Sequence, residues 1–180
     1  MKSTKKIVLC GLFVALMAIG AFIRIPIPML PITLQTMFVL YAAVILGGRL
    51  GAVSVLVYVI MGLIGVPVFA EGGGIWYVMK PSFGYLIGFI IGAFITGFII
   101  EKSKKLSFGR CFAANTAGLA VVYGIGLVYF YVISNYVIEA PIAVWPLFLH
   151  CFLLTLPGDI CISVIVAATT KRIKGAVEKI

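Results

Sequence analysis

The stretch FGYLIGFIIGAFITGFII, residues 83–100, contains no charged residue and is long enough to cross a bilayer as a helix. A helix rises about 1.5 Å per residue, and a hydrocarbon core of about 30 Å needs roughly 20 apolar residues. Within the stretch, Gly84, Gly88 and Gly92 recur at every fourth position, and Thr96 continues the row. Small residues on one helix face let a second helix approach closely. We therefore predict a membrane-spanning helix that packs closely against a second helix, either of the same bundle or of a partner membrane protein.

The composition of the whole chain agrees with this local prediction. Of the 180 residues, 63% are hydrophobic and 11% are charged, and the mean hydropathy is +1.25. A soluble domain of this size has too small a core to hide so much apolar surface. Helices satisfy their own backbone groups in lipid, whereas a membrane barrel would show short alternating strands, which are not seen. The sequence predicts an all-α integral membrane protein with a single domain over residues 1–180.

Six apolar segments are expected to form the bundle, and two of them are short for a membrane span. The segments are 7–24, 34–47, 50–66, 82–101, 112–134 and 144–170. The second and third should be buried among the others or joined to re-entrant loops. The N-terminal residues resemble a secretory signal, but the apolar run is long for one, so it is interpreted as the first, retained span. Three prolines exclude a regular helix from RIPIPMLPITLQ, residues 24–35, and a glycine-rich segment follows at 65–84.

The basic residues give the expected orientation. The formal net charge is +9, and the positive residues cluster at the ends of the apolar segments, which does not favour a nucleic-acid partner. With six spans and a cytoplasmic N-terminus, both termini are cytoplasmic, and Arg24 and Lys80 fall outside. The remaining twelve of the fourteen basic residues fall inside, as cytoplasmic loops favour: Lys2, Lys5, Lys6, Arg49, Lys102, Lys104, Lys105, Arg110, Lys171, Arg172, Lys174 and Lys179. A multi-pass protein of a bacterial plasma membrane is expected.

Small residues also line one face of the first segment. Gly11, Ala15 and Ala18 follow one another at helical spacing. Such a face suits packing within the bundle, or contact with a partner membrane protein. The sequence leaves both alternatives open.

Asp159 is the one acidic residue in the interior of an apolar segment, since Glu101 is the last residue of its own, and an interior ionisable group marks function by default. Thr155, Asp159 and Ser163 lie four residues apart, which predicts a polar stripe on one helix face. This arrangement favours a wall that faces a ligand, and the alternative is a structural carboxylate paired within the bundle.

The sequence does not indicate catalysis or a metal site. His150 lies nine residues before Asp159, on the opposite side of a regular helix. No GxSxG, HExxH or GxxxxGK[ST] motif is present. The four cysteines, Cys10, Cys111, Cys151 and Cys161, form no CxxC pair and are interpreted as small apolar residues. We predict no catalytic residue, no metal and no cofactor.

Three blocks carry a family resemblance that extends from about residue 7 to 170. They are PITLQTMFVLYAAVILGGRLGAVSVLVYVIMGLIGVPVFAEGGG (31–74), KPSFGYLIGFIIGAF (80–94) and LPGD (156–159). Together they resemble the BioY family, the biotin-specific substrate-binding (S) components of energy-coupling factor (ECF) transporters. The resemblance implies a six-transmembrane-helix bundle of the S-component type, with biotin as the transported ligand. It also implies a transmembrane coupling subunit and two ABC-type ATPase subunits as partners.

The resemblance also implies roles for individual residues. The aspartate of PGD, Asp159, would accept hydrogen bonds from the ureido N–H groups of biotin, because a carboxylate can accept two donors in parallel. Many members carry a lysine three positions later for the carboxylate of the ligand, but this chain has Ile162. Lys80 is predicted to supply that charge, with Arg24 as the weaker candidate.

The remaining predicted site residues are Thr33 and Gln35 for hydrogen bonds, and Phe69, Trp76 and Tyr85 as apolar walls, with Ser163 on the polar stripe. In related S components an AxxxA motif of the first helix contacts the coupling subunit. Here Val14 replaces its first alanine, so Gly11 and Ala15 are the predicted contact, together with Ala18. Two alternative functions stay open: an S component for a different vitamin, and a stand-alone membrane facilitator.

Overall fold

Apolar helices make up most of the described chain, which comprises residues 3–27, 29–103 and 105–179 of a computed structural model. The helices are α1 (Ser3–Phe22), α2 (Gln35–Leu46), α3 (Gly48–Leu63), α4 (Phe83–Glu101), α5 (Phe108–Tyr136), α6 (Val144–Phe148) and α7 (Leu156–Lys179). A 3-10 turn covers Ile75–Met79, and a π-helical turn, Leu149–Leu153, joins α6 to α7. The proline-rich segment forms a small hairpin, in which β1 (Arg24–Ile25) pairs with β2 (Ile32–Thr33).

The glycine row of α4 packs against α5, so the predicted close neighbour belongs to the same chain. A Cβ atom built on Gly88 would lie 2.9 Å from the Cα atom of Val122, and one built on Gly92 would lie 2.8 Å from the carbonyl of Gly118. Thr96 continues the row and donates its hydroxyl to the carbonyl of Ala114 over 3.2 Å. Backbones this close leave no room for larger side chains along the seam.

The two short segments form a helical corner, and the first of them is buried as expected. Helix α2 has 12 residues, nine of them buried, whereas α3 has 16 residues and exposes one apolar face. Gly47 joins the two helices with φ of +87°, a conformation that favours glycine. A Cβ atom on Gly48 would lie 2.7 Å from the carbonyl of Phe94. The corner is therefore held tightly against α4.

Four helical stretches of the described residues are long and apolar enough to cross a membrane. They are Thr4–Phe22, Phe83–Glu101, Phe108–Tyr136 and Val144–Val177. At 1.5 Å per residue, α2 and α3 reach roughly 18 and 24 Å, short of a bilayer core. The last predicted segment is a broken helix rather than a regular one, because the amide of Leu154 bonds back to the carbonyl of Leu149 at 3.0 Å, one residue further than in an α-helix.

The two ends of the bundle differ in structure: one carries the start of α1 and the end of α7, and the other carries the long connecting segments. At one end, the Lys5 ammonium donates to the carbonyl of Val177, so the first and last helices end together. At the other end, which we call the loop end, lie the described parts of the connecting segments 23–34, 64–82 and 137–143. There the guanidinium of Arg24 donates to the carbonyl of Ala70, and the hydroxyl of Tyr129 donates to the carbonyl of Val78 over 2.7 Å. The loops thus bind one another and the helices beneath them.

Both tryptophans of the chain lie at the loop end and face outward. The side chain of Trp76 is 80% exposed, and that of Trp145 is 68% exposed. Tryptophan is enriched where a bilayer meets water. Their positions fit a bundle whose loop end reaches a membrane interface.

Candidate ligand-binding site

A partly open cavity lies under the loop end, and the space free of protein atoms there, solvent at its mouth included, is about 690 Å³. The connecting segments contribute part of its wall, and helices α2, α4, α5 and α7 contribute the rest. The lining residues are Leu30, Pro31, Ile32, Thr33, Gln35, Thr36, Phe69, Ala70, Tyr77, Ser82, Tyr85, Leu86, Phe89, Val122, Tyr123, Thr155 and Asp159.

Asp159 reaches this cavity from the first turn of α7, and Tyr123 of α5 holds its carboxylate. The hydroxyl of Tyr123 donates to Oδ2 of Asp159 over 2.5 Å and lies 3.0 Å from the hydroxyl of Thr155. A charge-assisted hydrogen bond of this kind is short and strong. Asp159 is partly buried, and its oxygens retain further capacity to accept hydrogen bonds. The cavity therefore presents an oriented acceptor to a ligand.

The broken start of the last helix positions a second aromatic wall. The hydroxyl of Tyr85 donates to the carbonyl of Cys151, in the π-helical turn, over 3.0 Å. Its ring meets that of Tyr123 edge to face, with centroids 6.2 Å apart. A Cβ atom on Gly126 would lie 2.6 Å from the Tyr85 ring, so glycine makes room for this ring. The two tyrosines are fixed before any ligand arrives.

Phe69 anchors the glycine-rich loop over the cavity. Its side chain is 1% exposed and packs against Tyr58 and Tyr77, with ring centroids 5.5 and 4.5 Å away. A Cβ atom on Gly62 would lie 2.0 Å from the Phe69 ring. Burial raises the pKa of Tyr77 above its ordinary value, so its phenol stays protonated and available as a donor. The loop is thus packed against α3 and presents a rigid wall.

Five predicted site residues meet in the cavity: Thr33, Gln35, Phe69, Tyr85 and Asp159. Gln35 is 4% exposed, and its Nε2 atom has no hydrogen-bond partner among the described residues. An unpaired buried amide is costly. A ligand acceptor in the cavity is the natural partner for this N–H group.

Three predicted residues do not line the cavity. The Lys80 ammonium pairs with the Glu71 carboxylate at 2.7 Å, and both side chains are 42% exposed. The glycine loop turns Trp76 outward, away from the cavity. Ser163 is 1% exposed, and a step of four residues along the helix turns its side chain by about 40° from that of Asp159. Its carbonyl instead accepts the amide of Asn115 at 3.3 Å.

Ile162 also turns away from the cavity. It is 7% exposed and packs with Leu40, Leu119 and Val166 in a small apolar core. A side chain at this position supports the packing of α7 on α2 and α5. The residue therefore does not determine the charge of the cavity.

Tyr123 and Thr36 also line the cavity, although no sequence pattern predicted a role for either. A tyrosine within an apolar span, flanked by the small residues of α5, was the available signal for Tyr123. The pairing with Asp159 joins residues 36 positions apart in sequence. Spacing within one helix does not reveal such a contact.

The small-residue face of α1 is largely free of contacts within the described chain. Gly11 and Ala15 are exposed, and a Cβ atom on Gly11 would meet nothing within 4 Å. Ala18 is partly buried and packs against the main core. Packing inside the bundle thus accounts for Ala18 but not for Gly11 or Ala15.

Fold and cavity together define a class: a multi-helix membrane protein with a cavity at one end of its bundle. The sequence model of the BioY family matches residues 1–179, and the chain belongs to this family. It is 40% identical over 172 residues to a probable biotin transporter BioY of Lysinibacillus sphaericus, covering 96% of this chain and 88% of the relative. It is 41% identical over 134 residues to the biotin transporter BioY of Thermotoga maritima, covering 74% and 76% of the two chains.

A solved structure has the same fold. The crystal structure of the S-component for biotin from an ECF-type ABC transporter superposes with a TM-score of 0.82 at 26% sequence identity. The superposition covers 97% of this chain and 95% of that one. The similarity extends over the whole bundle, including the loop end that encloses the cavity.

Proposed function

We propose that this chain is the biotin-binding subunit of a vitamin uptake transporter. It captures biotin at the loop end of the bundle and delivers it across the membrane together with ATPase-driven partner subunits. The observation that carries the proposal is the oriented Asp159 carboxylate in a cavity walled by Phe69, Tyr85 and Tyr123. Membership of the BioY family and the similarity to a biotin S-component support it.

The cavity chemistry fits the ring end of biotin. The ureido group has two adjacent N–H donors and one carbonyl acceptor. Asp159 accepts from the two donors, since each carboxylate oxygen has two lone pairs and Tyr123 uses one of them. The unpartnered Gln35 amide donates to the ureido carbonyl, and Thr33 lies beside it in the cavity wall. The aromatic rings cover the apolar faces of the fused bicycle.

In this proposal the chain forms six spans with both termini in the cytoplasm of a bacterium. The joining of the first and last helices at one end, through Lys5 and the carbonyl of Val177, supports termini on one side. The distribution of basic residues supports a cytoplasmic position for that end. The loop end with its cavity faces outward, where vitamin is captured.

A transmembrane coupling subunit and two ABC-type ATPase subunits complete the proposed transporter. The exposed small-residue pair of α1, Gly11 and Ala15, supports a helix partner at this face. The S-component it resembles comes from an ECF-type ABC transporter. The ATPases supply the energy, and this chain supplies recognition.

Biotin binding to the purified protein in detergent, with an Asp159→Asn variant, tests the proposal. The variant keeps the shape of the side chain but replaces an ionised acceptor with an amide. Hydrogen bonds to charged groups contribute about 1.5–3 kcal/mol each, so the loss of one of them should lower affinity by at least roughly tenfold. Glu139→Gln, at an exposed loop carboxylate, is the matched control and should leave affinity unchanged. Wild-type protein that binds no biotin, or an Asp159→Asn variant within about threefold of it, would contradict the proposal.

A further inference from the structure

The cavity has an unusual charge content for a site that accepts an anionic vitamin. Among the lining residues that the structure describes, Asp159 is the single charged side chain, and it is acidic. Lysine, arginine and histidine are absent from this described wall. The remaining polar groups are hydroxyls and the Gln35 amide. The interior of the site thus offers no cation to a second carboxylate.

The cations at the loop end are held outside the cavity by other groups. Arg24 is exposed and donates to the carbonyl of Ala70. The Lys80 ammonium pairs with Glu71 at 2.7 Å and lies 5.0 Å from the centre of the Tyr77 ring, on which it stacks. Ala70 and Tyr77 themselves line the cavity. Each cation is therefore separated from the interior by a wall residue.

The charge of the cavity determines where the carboxylate tail of biotin lies. A carboxylate taken from water into an apolar cavity loses its hydration and needs a cation or several donors in exchange. Here it would also meet the like charge of Asp159, which disfavours a second anion in the same site. The charged end of biotin is best left in the partly open mouth, where water still solvates it. The ring end alone then carries the recognition.

We propose that this site also takes biotin whose carboxyl group is blocked as an amide, including biotin linked to the side chain of lysine. The inference rests on the proposed biotin-binding function and extends its substrate class to tail-modified biotin. A primary amide has the same size as the carboxyl group and needs no counter-ion. A longer amide passes through the mouth, which the connecting segments leave partly open.

A binding experiment with the purified chain in detergent uses three ligands to distinguish the contribution of the ring to affinity from that of the tail. Biotin is compared with biotin primary amide and with Nε-biotinyl-lysine, by calorimetry or by competition against labelled biotin. The dissociation constant of the primary amide should lie within about threefold of that of biotin. The lysine conjugate should lie within about tenfold. If the dissociation constant of the primary amide exceeds that of biotin by more than about thirtyfold, the inference is overturned, because a cation must then bind the carboxylate of biotin.

Two variants locate such a cation if it exists. Arg24→Gln and Lys80→Gln each remove one positive charge at the loop end. The ratio of amide to acid dissociation constants is the readout, because general damage to the loop weakens both ligands alike. The ratio should stay within about threefold of wild type in both variants. A selective loss of acid binding of tenfold or more in either variant contradicts the inference.

The outcomes also separate this inference from the function on which it rests. If biotin binds and its amide does not, the biotin-binding function stands and the extended substrate class fails. If neither ligand binds, both fail. If both bind with similar affinity, both are supported.

Discussion

Tyr123 and Asp159 form the polar centre of the cavity, and each is placed by the helix that carries it. The tyrosine hydroxyl lies between the Asp159 carboxylate, at 2.5 Å, and the Thr155 hydroxyl, at 3.0 Å. A carboxylate held by one fixed donor loses rotational freedom before the ligand arrives. Preorganisation of this kind improves affinity by lowering the entropic cost of binding.

Replacement of Tyr123 by phenylalanine tests this role. The ring and its packing are kept, and the hydrogen bond to Asp159 is lost. A bond to a charged group contributes about 1.5–3 kcal/mol, so the dissociation constant for biotin should rise roughly tenfold or more by calorimetry. Tyr41→Phe is the control, because the Tyr41 hydroxyl bonds to Thr169 at 2.6 Å and does not line the cavity.

A double-mutant cycle distinguishes positioning from general destabilisation. In an Asp159→Asn background, Tyr123→Phe should cost much less than in the wild-type protein, because the two residues act through one hydrogen bond. Equal costs in both backgrounds would show that Tyr123 acts independently of the carboxylate.

The sequence was most informative about residues whose chemistry is rare in lipid. Asp159 was identifiable because an ionisable group inside an apolar segment is energetically costly and therefore indicates a function. The presence of Gln35, Phe69 and Tyr85 in the cavity agrees with the family resemblance, whereas Trp76 turns outward. Lys80 was predicted to supply a charge to the ligand carboxylate, whereas the structure pairs it with Glu71, a contact that depends on the path of a glycine loop that no periodicity describes.

At the scale of helices, the seam between α4 and α5 supports the cavity from behind. Val122 lines the cavity and also touches Gly88 across this seam. Any change that separates the two helices therefore also moves a cavity wall. The seam was predictable from sequence, because glycines at every fourth position indicate close packing wherever their partner lies.

Gly88→Ala and Gly124→Ala form a matched pair of substitutions that tests this seam. The added methyl on Gly88 meets backbone atoms of α5 at 2.9 Å, whereas the one on Gly124 meets nothing within 4 Å. Overpacking costs typically about 1–3 kcal/mol, so Gly88→Ala should lower the thermal unfolding midpoint in detergent. Gly124→Ala should be neutral or stabilising, since alanine favours a helix over glycine by about 1 kcal/mol. Equal midpoints for the two variants would mean that the seam tolerates expansion.

The break before α7 was not predictable from the sequence. Residues 144–170 are apolar throughout apart from a few polar positions, so hydropathy indicates one continuous helix. The π-helical turn at Leu149–Leu153 shifts the register of everything after it. Its consequence is the contact between Tyr85 and the carbonyl of Cys151, a tertiary feature that local pattern does not encode.

At the scale of the whole molecule, the bundle has two different ends: the start of α1, the end of α7 and most basic residues lie at one, and the connecting segments lie at the other. Lys5 meets the end of α7, and a Cβ atom on Gly47 would lie 2.0 Å from the Glu101 carboxylate. The corner between α2 and α3 and the end of α4 therefore lie together. The connecting segments that enclose the cavity lie at the opposite end. The predicted orientation assigns the first end to the cytoplasm.

Labelling of single cysteines in intact cells tests that orientation. In a variant without the four native cysteines, Ala140→Cys at the loop end should react with a membrane-impermeant thiol reagent. Ser107→Cys, between α4 and α5, should react after the cells are permeabilised and not before. Both positions are exposed in the structure, so accessibility within the protein is matched. Labelling of Ser107→Cys in intact cells would reverse the proposed orientation.

The outward position of both tryptophans has a practical consequence for fluorescence. The cavity is lined by the tyrosines Tyr77, Tyr85 and Tyr123, while Trp76 and Trp145 lie outside its wall. Tryptophan emission from this protein therefore reports the surroundings of the loop end, such as detergent or lipid head groups, rather than occupancy of the site. A spectral change on adding ligand would then signal that the surroundings of Trp76 or Trp145 have changed, which makes the native chain its own reporter of motion at the loop end.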